Sequence, residues 1–216
     1  MLYYVVIPAY NEAERLPPLL EGLAAHVPLE RVVVVDDGSR EPLDLGTPVR
    51  LLRHHINLGK GMALRTGCEY AIREGAEAIV LMDGDGQHEP GEIPRLLGSL
   101  DRTDFVFAAR QLDRQMPVVR RVGNLVLNSA VQTLFGSSLT DIWCGYRAFR
   151  VEHFSKVVWN ASDYAVDVEM AIRALKHQLR FEEVPIGTVY HDAHKGVTVL
   201  DGLQLLARLV GWKFTL

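Results

Sequence analysis

Two aspartates separated by a single glycine are the residues of this sequence best suited to chemistry. Asp83 and Asp85 follow a short apolar run and are themselves followed by a glycine, Gln87 and His88. Two carboxylates this close need a cation, and oxygen ligands suit Mg²⁺ or Mn²⁺. Gln87 and His88 are candidates for a further ligand or an outer-shell hydrogen bond. Such an ion usually completes its shell with water and phosphate oxygens, so the segment predicts a phosphorylated ligand. A solvated acidic turn is the alternative, and the spacing by itself does not decide between the two.

A second acidic pair, Asp36 and Asp37, ends another apolar run. Carboxylates in this position accept hydrogen bonds from ribose hydroxyls or a base edge, and an Asx turn or a helix cap is the competing interpretation. The segment 57–61, Asn-Leu-Gly-Lys-Gly, resembles a phosphate loop because it opens a helical pattern. It lacks the Walker spacing and has Met62 where Ser or Thr would stand. A glycine-rich turn that permits close packing is therefore an equally good interpretation.

Positive charge is concentrated between residues 102 and 121, and arginine side chains fit phosphate oxygens bidentately. Arg110 directly ends a predicted strand, and we therefore expect it to contact the ligand. Arg120 and Arg121 are the other candidates, with exposure on a solvated helix as the alternative for one of them. Asp141 lies in a loop beside an aromatic residue and a glycine, where a carboxylate can orient a nucleophile. An ion pair with Arg147 is the alternative role for Asp141.

These residues must be positioned by a sheet, because apolar runs and helical periods alternate along the chain. The runs predict buried strands and the periods predict helices, which together define an α/β fold with a mainly parallel sheet. Ligands bind beyond the carboxyl ends of such strands, and the polar segments fall there. The expected strands are 3–7, 31–35, 49–53, 78–81, 105–108 and 181–186, and the longer helices are 118–135 and 163–176, with a loop containing 141–147 between them.

The composition is that of a packed protein of 216 residues, with 48% hydrophobic and 23% charged residues. A net charge of −4 argues against bulk binding of nucleic acid. Two cysteines, no basic leader and no membrane-length apolar stretch predict a cytoplasmic chain that does not span a membrane. Without a linker or a repeat, residues 1–216 are expected to form one domain. The tail, about residues 199–214, has the pattern of an amphipathic helix that packs on the core or touches a membrane or another subunit.

Five motifs, taken in order, resemble those of family 2 glycosyltransferases, and most closely the dolichol-phosphate and polyprenyl-phosphate sugar synthases. They are residues 7–12, 35–39, 57–61, 82–88 and 141–147, within a match over about residues 3–190. The resemblance implies a GT-A fold, a GDP- or UDP-linked sugar donor, Mg²⁺ or Mn²⁺ as cofactor, and inversion at the anomeric carbon. It also implies transfer of mannose or glucose to a polyprenyl or dolichyl phosphate, with peripheral contact at the inner face of the membrane.

The resemblance further implies a role for each candidate residue. The nucleotide pocket would be formed by residues at the ends of the first two strands, namely Pro8, Tyr10, Glu12, Val35 and Asp37. The diphosphate and the cation would be held after the fourth strand, by Asp83, Gly84, Asp85 and Gln87, with the metal on Asp83, Asp85 and Gln87. Arg110 and one of Arg120 or Arg121 would contact the diphosphate or the acceptor phosphate. Asp141 would lie near the acceptor, and Glu169 occupies a position where the family often has Glu.

One segment departs from the family pattern. Relatives often carry an Arg and a Gly-x-Ser-Lys stretch after the last strand, whereas residues 191–198 here are His-Asp-Ala-His-Lys-Gly-Val-Thr. His194 or Lys195 is the candidate replacement, which leaves the donor sugar open. If the acceptor were a hydroxyl of a soluble sugar or metabolite, Asp141 would have to act as a base. A non-catalytic nucleotide-sensing module is the third hypothesis, and the formation of a homodimer stays open.

Overall fold

A seven-stranded sheet lies at the centre of the protein. The structure is a computed structural model that describes residues 1–110, 118–187 and 199–216, with the backbone alone described for 118–122, 199–201 and 203. The strands are β1 (Tyr3–Ala9), β2 (Val32–Asp36), β3 (Arg50–Arg53), β4 (Ala78–Leu81), β5 (Phe105–Arg110), β6 (Arg147–Arg150) and β7 (Phe181–Ile186). Their order in the sheet is β3-β2-β1-β4-β6-β5-β7. Neighbouring strands are parallel except at β6, which runs antiparallel to both β4 and β5.

Helices cover both faces of this sheet. They are α1 (Leu16–Ala24), α2 (Lys60–Arg73), α3 (Ile93–Ser99), α4 (Val118–Phe135), α5 (Phe154–Val157), α6 (Ala165–Lys176) and α7 (Val199–Thr215), with 3₁₀ turns at Leu29–Arg31, Pro90–Glu92 and Val151–His153. Because successive strand residues point to opposite faces, β1 places Val6 in one apolar core and Val5 in another. The first core includes residues of α2, α4, α6 and α7, and the second includes residues of α1 and α3. The central strands are thus buried on both faces, as is typical of parallel sheets.

The mainly parallel α/β sheet predicted from the sequence is confirmed. Every expected strand is present within two residues of its predicted bounds, and the helices predicted at 118–135 and 163–176 are α4 and α6, the latter beginning at Ala165. The prediction of a loop as far as residue 147 was wrong at its end, because Arg147 begins β6. This strand is Arg-Ala-Phe-Arg, and its buried Arg147 interrupts the apolar run by which a strand is recognised.

The C-terminal helix α7 packs on the core, which was one of the interpretations of the tail. Leu205 and Leu209 are buried, and Arg208 pairs with Asp163 at 2.9 Å. On the same helix Phe214 is 84% exposed. Among the described residues, no helix combines the length and the apolarity needed to cross a membrane.

Candidate active site

The carboxyl ends of β1, β2, β4 and β5 meet at one edge of the sheet and bring several of the predicted site residues together. Pro8 in β1 lies opposite Val35 in β2. The backbone N–H of Asp37 donates to the carbonyl of Ala9 at 2.8 Å, which holds the end of β2 against the end of β1. Gly84 approaches the same place from β4, since a Cβ atom there would lie 2.9 Å from the carbonyl oxygen of Pro8. This is the edge at which open parallel sheets bind ligands.

The turn after β1 is joined to the turn after β2. Asn11 adopts a positive φ of 56°, and its N–H donates to Ser39 Oγ at 2.9 Å. Tyr10 is 44% exposed at this turn. Glu12 pairs with Arg15 at 3.2 Å. The predicted nucleotide-pocket residues of this segment therefore lie on a turn of fixed conformation, and their roles remain predictions.

Asp36 forms the turn that the sequence offered as an alternative. Its Oδ1 accepts a hydrogen bond from Ser39 N at 2.9 Å, and its Oδ2 pairs with Arg53 at 2.7 Å. The sequence alternative of a local acidic turn therefore holds for Asp36, although its bond reaches the third residue on, whereas an Asx turn bonds the second.

Asp37 holds the segment that precedes α2. Its buried carboxylate accepts hydrogen bonds from the N–H groups of Leu58 and Gly59 at 2.9 and 2.8 Å. His54 Nδ1 lies 2.7 Å from Asp37 Oδ1 and must donate to it, because an ionised carboxylate only accepts. His54 Nε2 lies 2.9 Å from Thr66 Oγ1. No local pattern in the sequence indicates this contact of His54, and the role of Asp37 at the base or ribose remains a prediction.

Lys60 is the second residue that the sequence analysis missed. Its Nζ lies 2.7 Å from Asp83 Oδ1 and 2.8 Å from Asp167 Oδ2. Burial alone would lower the pKa of Lys60, but the charges of Asp167 and Asp83 outweigh it and raise this pKa overall. Burial alone would raise the pKa of Asp83, but Lys60 lowers it below its ordinary value. The distances and the directions of both pKa shifts therefore describe a Lys60 ammonium group bonded to an ionised Asp83 carboxylate.

Glycines on either side place Lys60 in this position. Gly59 has a φ of +94°, and a Cβ atom on it would lie 2.3 Å from the carbonyl oxygen of Ser162. A Cβ atom on Gly61 would lie 2.0 Å from the carbonyl oxygen of Ala161, and Gly61 N donates to Ser162 O at 2.7 Å. The interpretation of residues 57–61 as a glycine-rich turn that permits close packing is confirmed. Within this segment, Lys60 was the residue whose charge could have indicated an ion pair with Asp83.

His88 supports the backbone of Asp83 and is neutral. Burial, together with the charges of Arg110 and Lys60, lowers the pKa of His88 below its ordinary value, although Asp83 and Asp85 act in the opposite direction. In the neutral ring one nitrogen accepts, and Nδ1 lies 3.3 Å from the donating N–H of Asp83. The ring stacks on Tyr146 with centroids 4.9 Å apart. His88 therefore fixes where the segment 83–88 leaves β4.

The donor set around Asp85 fits a hard divalent cation. Asp85 Oδ1 accepts from the backbone N–H of Gln87 at 3.0 Å, which fixes the carboxylate of Asp85 within the turn that also carries Gln87. No group of three His, Cys, Asp or Glu side chains that could enclose a metal occurs in the described ranges. Mg²⁺ is commonly held by only one or two carboxylates and completes its shell from water and phosphate. The residues present thus fit an ion that is bound jointly with a phosphate ligand.

Arg110 and Asp141, both predicted site residues, form a bidentate ion pair. Arg110 Nε and the guanidinium Nη2 donate to Asp141 Oδ2 and Oδ1 at 2.6 and 2.9 Å, and the backbone N of Arg110 donates to Oδ2 at 3.2 Å. Asp141 is 6% exposed. Glu183 accepts from the backbone N–H groups of Thr140 and Asp141, at 2.8 and 3.2 Å, and so fixes this loop against β7. The pair lies where β5 ends, beside the other site residues.

The ion pair of Asp141 with Arg147, weighed as an alternative, is wrong. Arg147 is fully buried, and its guanidinium donates to the carbonyl oxygens of Ile142 at 2.8 Å, Cys144 at 2.9 Å and Asp167. The guanidinium of Arg147 donates to three carbonyl groups because β6 places this side chain in the core. Asp141 is thereby left to its partner at the end of β5.

Glu169 has a supporting position. It is 1% exposed, and its carboxylate accepts from Asn160 N and Ala161 N at 3.0 and 2.8 Å and pairs with Arg173 at 2.8 Å. It therefore holds the turn that packs against the glycines beside Lys60. The side chains of two predicted arginines and both residues of the divergent segment lie outside the described residues, namely Arg120, Arg121, His194 and Lys195.

Comparisons with known proteins identify the family and relatives of this chain. The family described as Glycosyl transferase family 2 matches residues 4–158. The polyprenol monophosphomannose synthase of Mycolicibacterium smegmatis is 33% identical, over 93% of this chain and 82% of its own length. The UDP-N-acetylglucosamine–dolichyl-phosphate N-acetylglucosaminyltransferase of Methanococcus voltae is 29% identical, over 97% of this chain and 95% of its own length.

A solved structure shares the fold. The glucosyl-3-phosphoglycerate synthase from Mycobacterium tuberculosis, in complex with Mn²⁺, uridine diphosphate and phosphoglyceric acid, superposes with a TM-score of 0.77 at 18% identity. The superposition covers 99% of this chain and 78% of that chain. The GT-A fold expected from the five motifs is confirmed.

Proposed function

Because the chain belongs to glycosyltransferase family 2, we propose that it is an inverting, metal-dependent hexosyltransferase. Its donor is a GDP- or UDP-linked mannose or glucose, and its acceptor is a polyprenyl or dolichyl phosphate. The names of two relatives support the choice of acceptor. One aligns with 93% of this chain and is named for the synthesis of polyprenol monophosphomannose, and the other aligns with 97% and is named for transfer to dolichyl phosphate.

The divalent cation is proposed to be held by Asp83, Asp85 and Gln87. When bound, Mg²⁺ or Mn²⁺ would offset the charge that grows on the departing nucleotide diphosphate. The nucleotide is proposed to lie over the ends of β1 and β2, against Pro8, Tyr10, Glu12, Val35 and Asp37. Support for this placement comes from the shared position of Pro8, Val35 and Gly84 at one sheet edge.

Arg110 is proposed to attract and orient the acceptor phosphate, aided by Arg120 or Arg121. Its guanidinium is already aimed by the two hydrogen bonds to Asp141. A phosphate monoester is ionised near neutral pH, so its oxygen needs no general base. That oxygen forms the new bond to the anomeric carbon while the bond to the diphosphate breaks on the opposite face, which inverts the configuration. Catalysis then consists mainly of positioning and charge stabilisation.

Contact with a membrane follows from a lipid acceptor. The described surface carries exposed Leu125 and Val126 on α4 and Val210 and Phe214 on α7. Apolar side chains on an amphipathic helix suit the boundary between head groups and acyl chains. We therefore include peripheral attachment at the inner membrane face in the proposal.

The experiment is transfer from radiolabelled GDP-mannose or UDP-glucose to a short polyprenyl phosphate in the presence of Mn²⁺. We expect label to enter the organic phase with wild type and to be lost with Asp85→Ala. Asp101→Ala is the matched control, because Asp101 is exposed at the amino-terminal side of β5, away from the site. Water-soluble product would instead identify a hydroxyl acceptor, and nucleotide binding without release of sugar from any donor would refute an enzyme.

A further inference from the structure

Lys60 already neutralises one of the two aspartates on which the proposed function depends. The side chains of Lys60 and Asp167 are 12% and 3% exposed, and Asp83 is 27% exposed. Both carboxylates lie within 2.8 Å of the same ammonium nitrogen. Coulomb attraction is weakly screened at such sites, and removing one partner leaves a buried charge uncompensated.

Among the residues that the structure describes, four charged side chains form a cluster at Asp83 that carries no net charge. Asp83 and Asp167 are negative, and Lys60 and the fully buried Arg147, which donates to the carbonyl of Asp167, are positive. A divalent ion that approached Asp83 would meet Lys60 at the same carboxylate. Asp85 differs, because no lysine or arginine forms an ion pair with it in the ranges that the structure describes, and its Oδ1 accepts from Gln87 N.

Lys60 is held in place by the backbone on both sides. The glycines next to it are closed in by the carbonyl groups of Ala161 and Ser162. On the opposite side a Cβ atom on Gly145 would lie 2.7 Å from Lys60 Nζ and 2.6 Å from Asp83 Oδ2. The pair therefore occupies a space shaped for it, which distinguishes it from a flexible surface ion pair.

One buried oxygen in this cluster lacks a partner among the residues that the structure describes. Asp167 Oδ1 accepts no hydrogen bond, although its other oxygen is bonded to Lys60. The carboxylate of Asp167 can thus retain the ammonium group when Asp83 turns to another cation. Lys60 therefore keeps a bonded carboxylate whether or not Asp83 binds another cation.

We propose that Lys60 and a divalent cation compete for Asp83, so that Asp85 is the main metal ligand in the absence of nucleotide and tight metal binding requires the donor diphosphate. This inference rests on the proposed function, since it assumes a metal-dependent sugar nucleotide site. Lys60 is a positioning residue, because it acts through Asp83. As a consequence of this competition, the metal is retained only when the nucleotide is bound as well.

The test measures Mn²⁺ affinity of the nucleotide-free protein by the electron paramagnetic resonance signal of free Mn²⁺. Lys60→Met is expected to bind Mn²⁺ at least about tenfold more tightly than wild type, because Asp83 becomes available as a ligand. The matched variant Lys60→Arg keeps the charge and is expected to change the affinity by less than about threefold. Unchanged or weaker Mn²⁺ binding by folded Lys60→Met would overturn the competition.

A second pair of variants keeps the inference testable if Lys60→Met does not fold. In a protein with intact Lys60, Asp85→Asn is expected to weaken Mn²⁺ binding more than about tenfold and Asp83→Asn less than about threefold. Equal losses would overturn the competition. The measurement is of metal binding and not of sugar transfer. If the expected changes in Mn²⁺ affinity occur in a protein that transfers no sugar, the proposed function is refuted and the competition is not. Equal losses in an active transferase would refute the competition alone.

Discussion

The substitution Asp141→Asn separates two roles for this carboxylate. Asp141 accepts three hydrogen bonds from Arg110, at 2.6, 2.9 and 3.2 Å. Asparagine replaces one acceptor oxygen by an NH₂ group that only donates, so at least one bond to the guanidinium is lost. A hydrogen bond to a charged group contributes about 1.5–3 kcal/mol. For a chain of this length, that loss should lower Tm by roughly 3–12 °C in a thermal unfolding experiment.

The effect on transfer follows from the same bonds. If Asp141 acts by holding Arg110, the loss of about 1.5–3 kcal/mol limits the fall in kcat/KM to roughly 10–150-fold. The shape of the pH–rate profile should not change, because no proton is removed from a phosphate acceptor. Arg110→Gln should lower the rate similarly, and the double variant should be little worse than either single variant.

A result of the opposite kind would refute this reasoning. If Asp141 removes a proton from a hydroxyl acceptor, Asp141→Asn should abolish the acidic limb of the pH–rate profile, and its effect should add to that of Arg110→Gln. Asp104→Asn is the matched control, because Asp104 receives a similar set of bonds from Arg180, at 2.6–3.2 Å, at the opposite end of β5. That variant should transfer sugar at the wild-type rate.

Three further predictions concern stability and the membrane. Gly61→Ala should lower the free energy of unfolding measured in urea by at least about 2 kcal/mol, because its Cβ would lie 2.0 Å from the carbonyl oxygen of Ala161. An unchanged midpoint of urea unfolding would contradict this close packing. The hydrogen bond from Arg180 lowers the pKa of Asp104 from 3.8 to about 2, so the stability that this pair contributes is present above pH 3.8 and is lost as the pH falls toward 2. The Tm difference between wild type and Asp104→Asn should therefore shrink over that interval, and a constant difference would contradict the assignment. Phe214→Ser, at an 84% exposed site, should leave Tm unchanged and reduce co-sedimentation with anionic lipid vesicles, whereas equal sedimentation would remove this face from the membrane contact.

The parts of the fold that could be predicted are those written in short stretches of sequence. β2 and β4 are continuous apolar runs because both of their faces are buried, and the acidic turns that follow them had to lie at the carboxyl edge of the sheet. The pairing of Pro8 with Val35 follows from the same parallel arrangement. These residues needed only local patterns and one rule of sheet geometry.

The partners of individual side chains required the tertiary structure. Lys60 and Asp167 are 107 residues apart in sequence, and no local pattern joins them. The bond of His54 to Asp37 depends on β2 and β3 lying side by side. Arg147 was weighed as the partner of Asp141 because it is near in sequence, whereas the real partner is 31 residues away.

The direction of β6 explains how the motif 141–147 reaches the site. The first residue of this strand, Arg147, lies opposite Leu81 at the end of β4 and Phe107 in β5. Because β6 is antiparallel, the residues that precede it lie at the carboxyl edge of its neighbours, which puts Gly145 against Asp83 and Asp141 against Arg110. A parallel strand in the same place would have left those residues at the amino edge, away from every other candidate residue. Among the described strands, β6 is the one that the sequence pattern failed to indicate, and it is thus the element that brings the last motif to the first four.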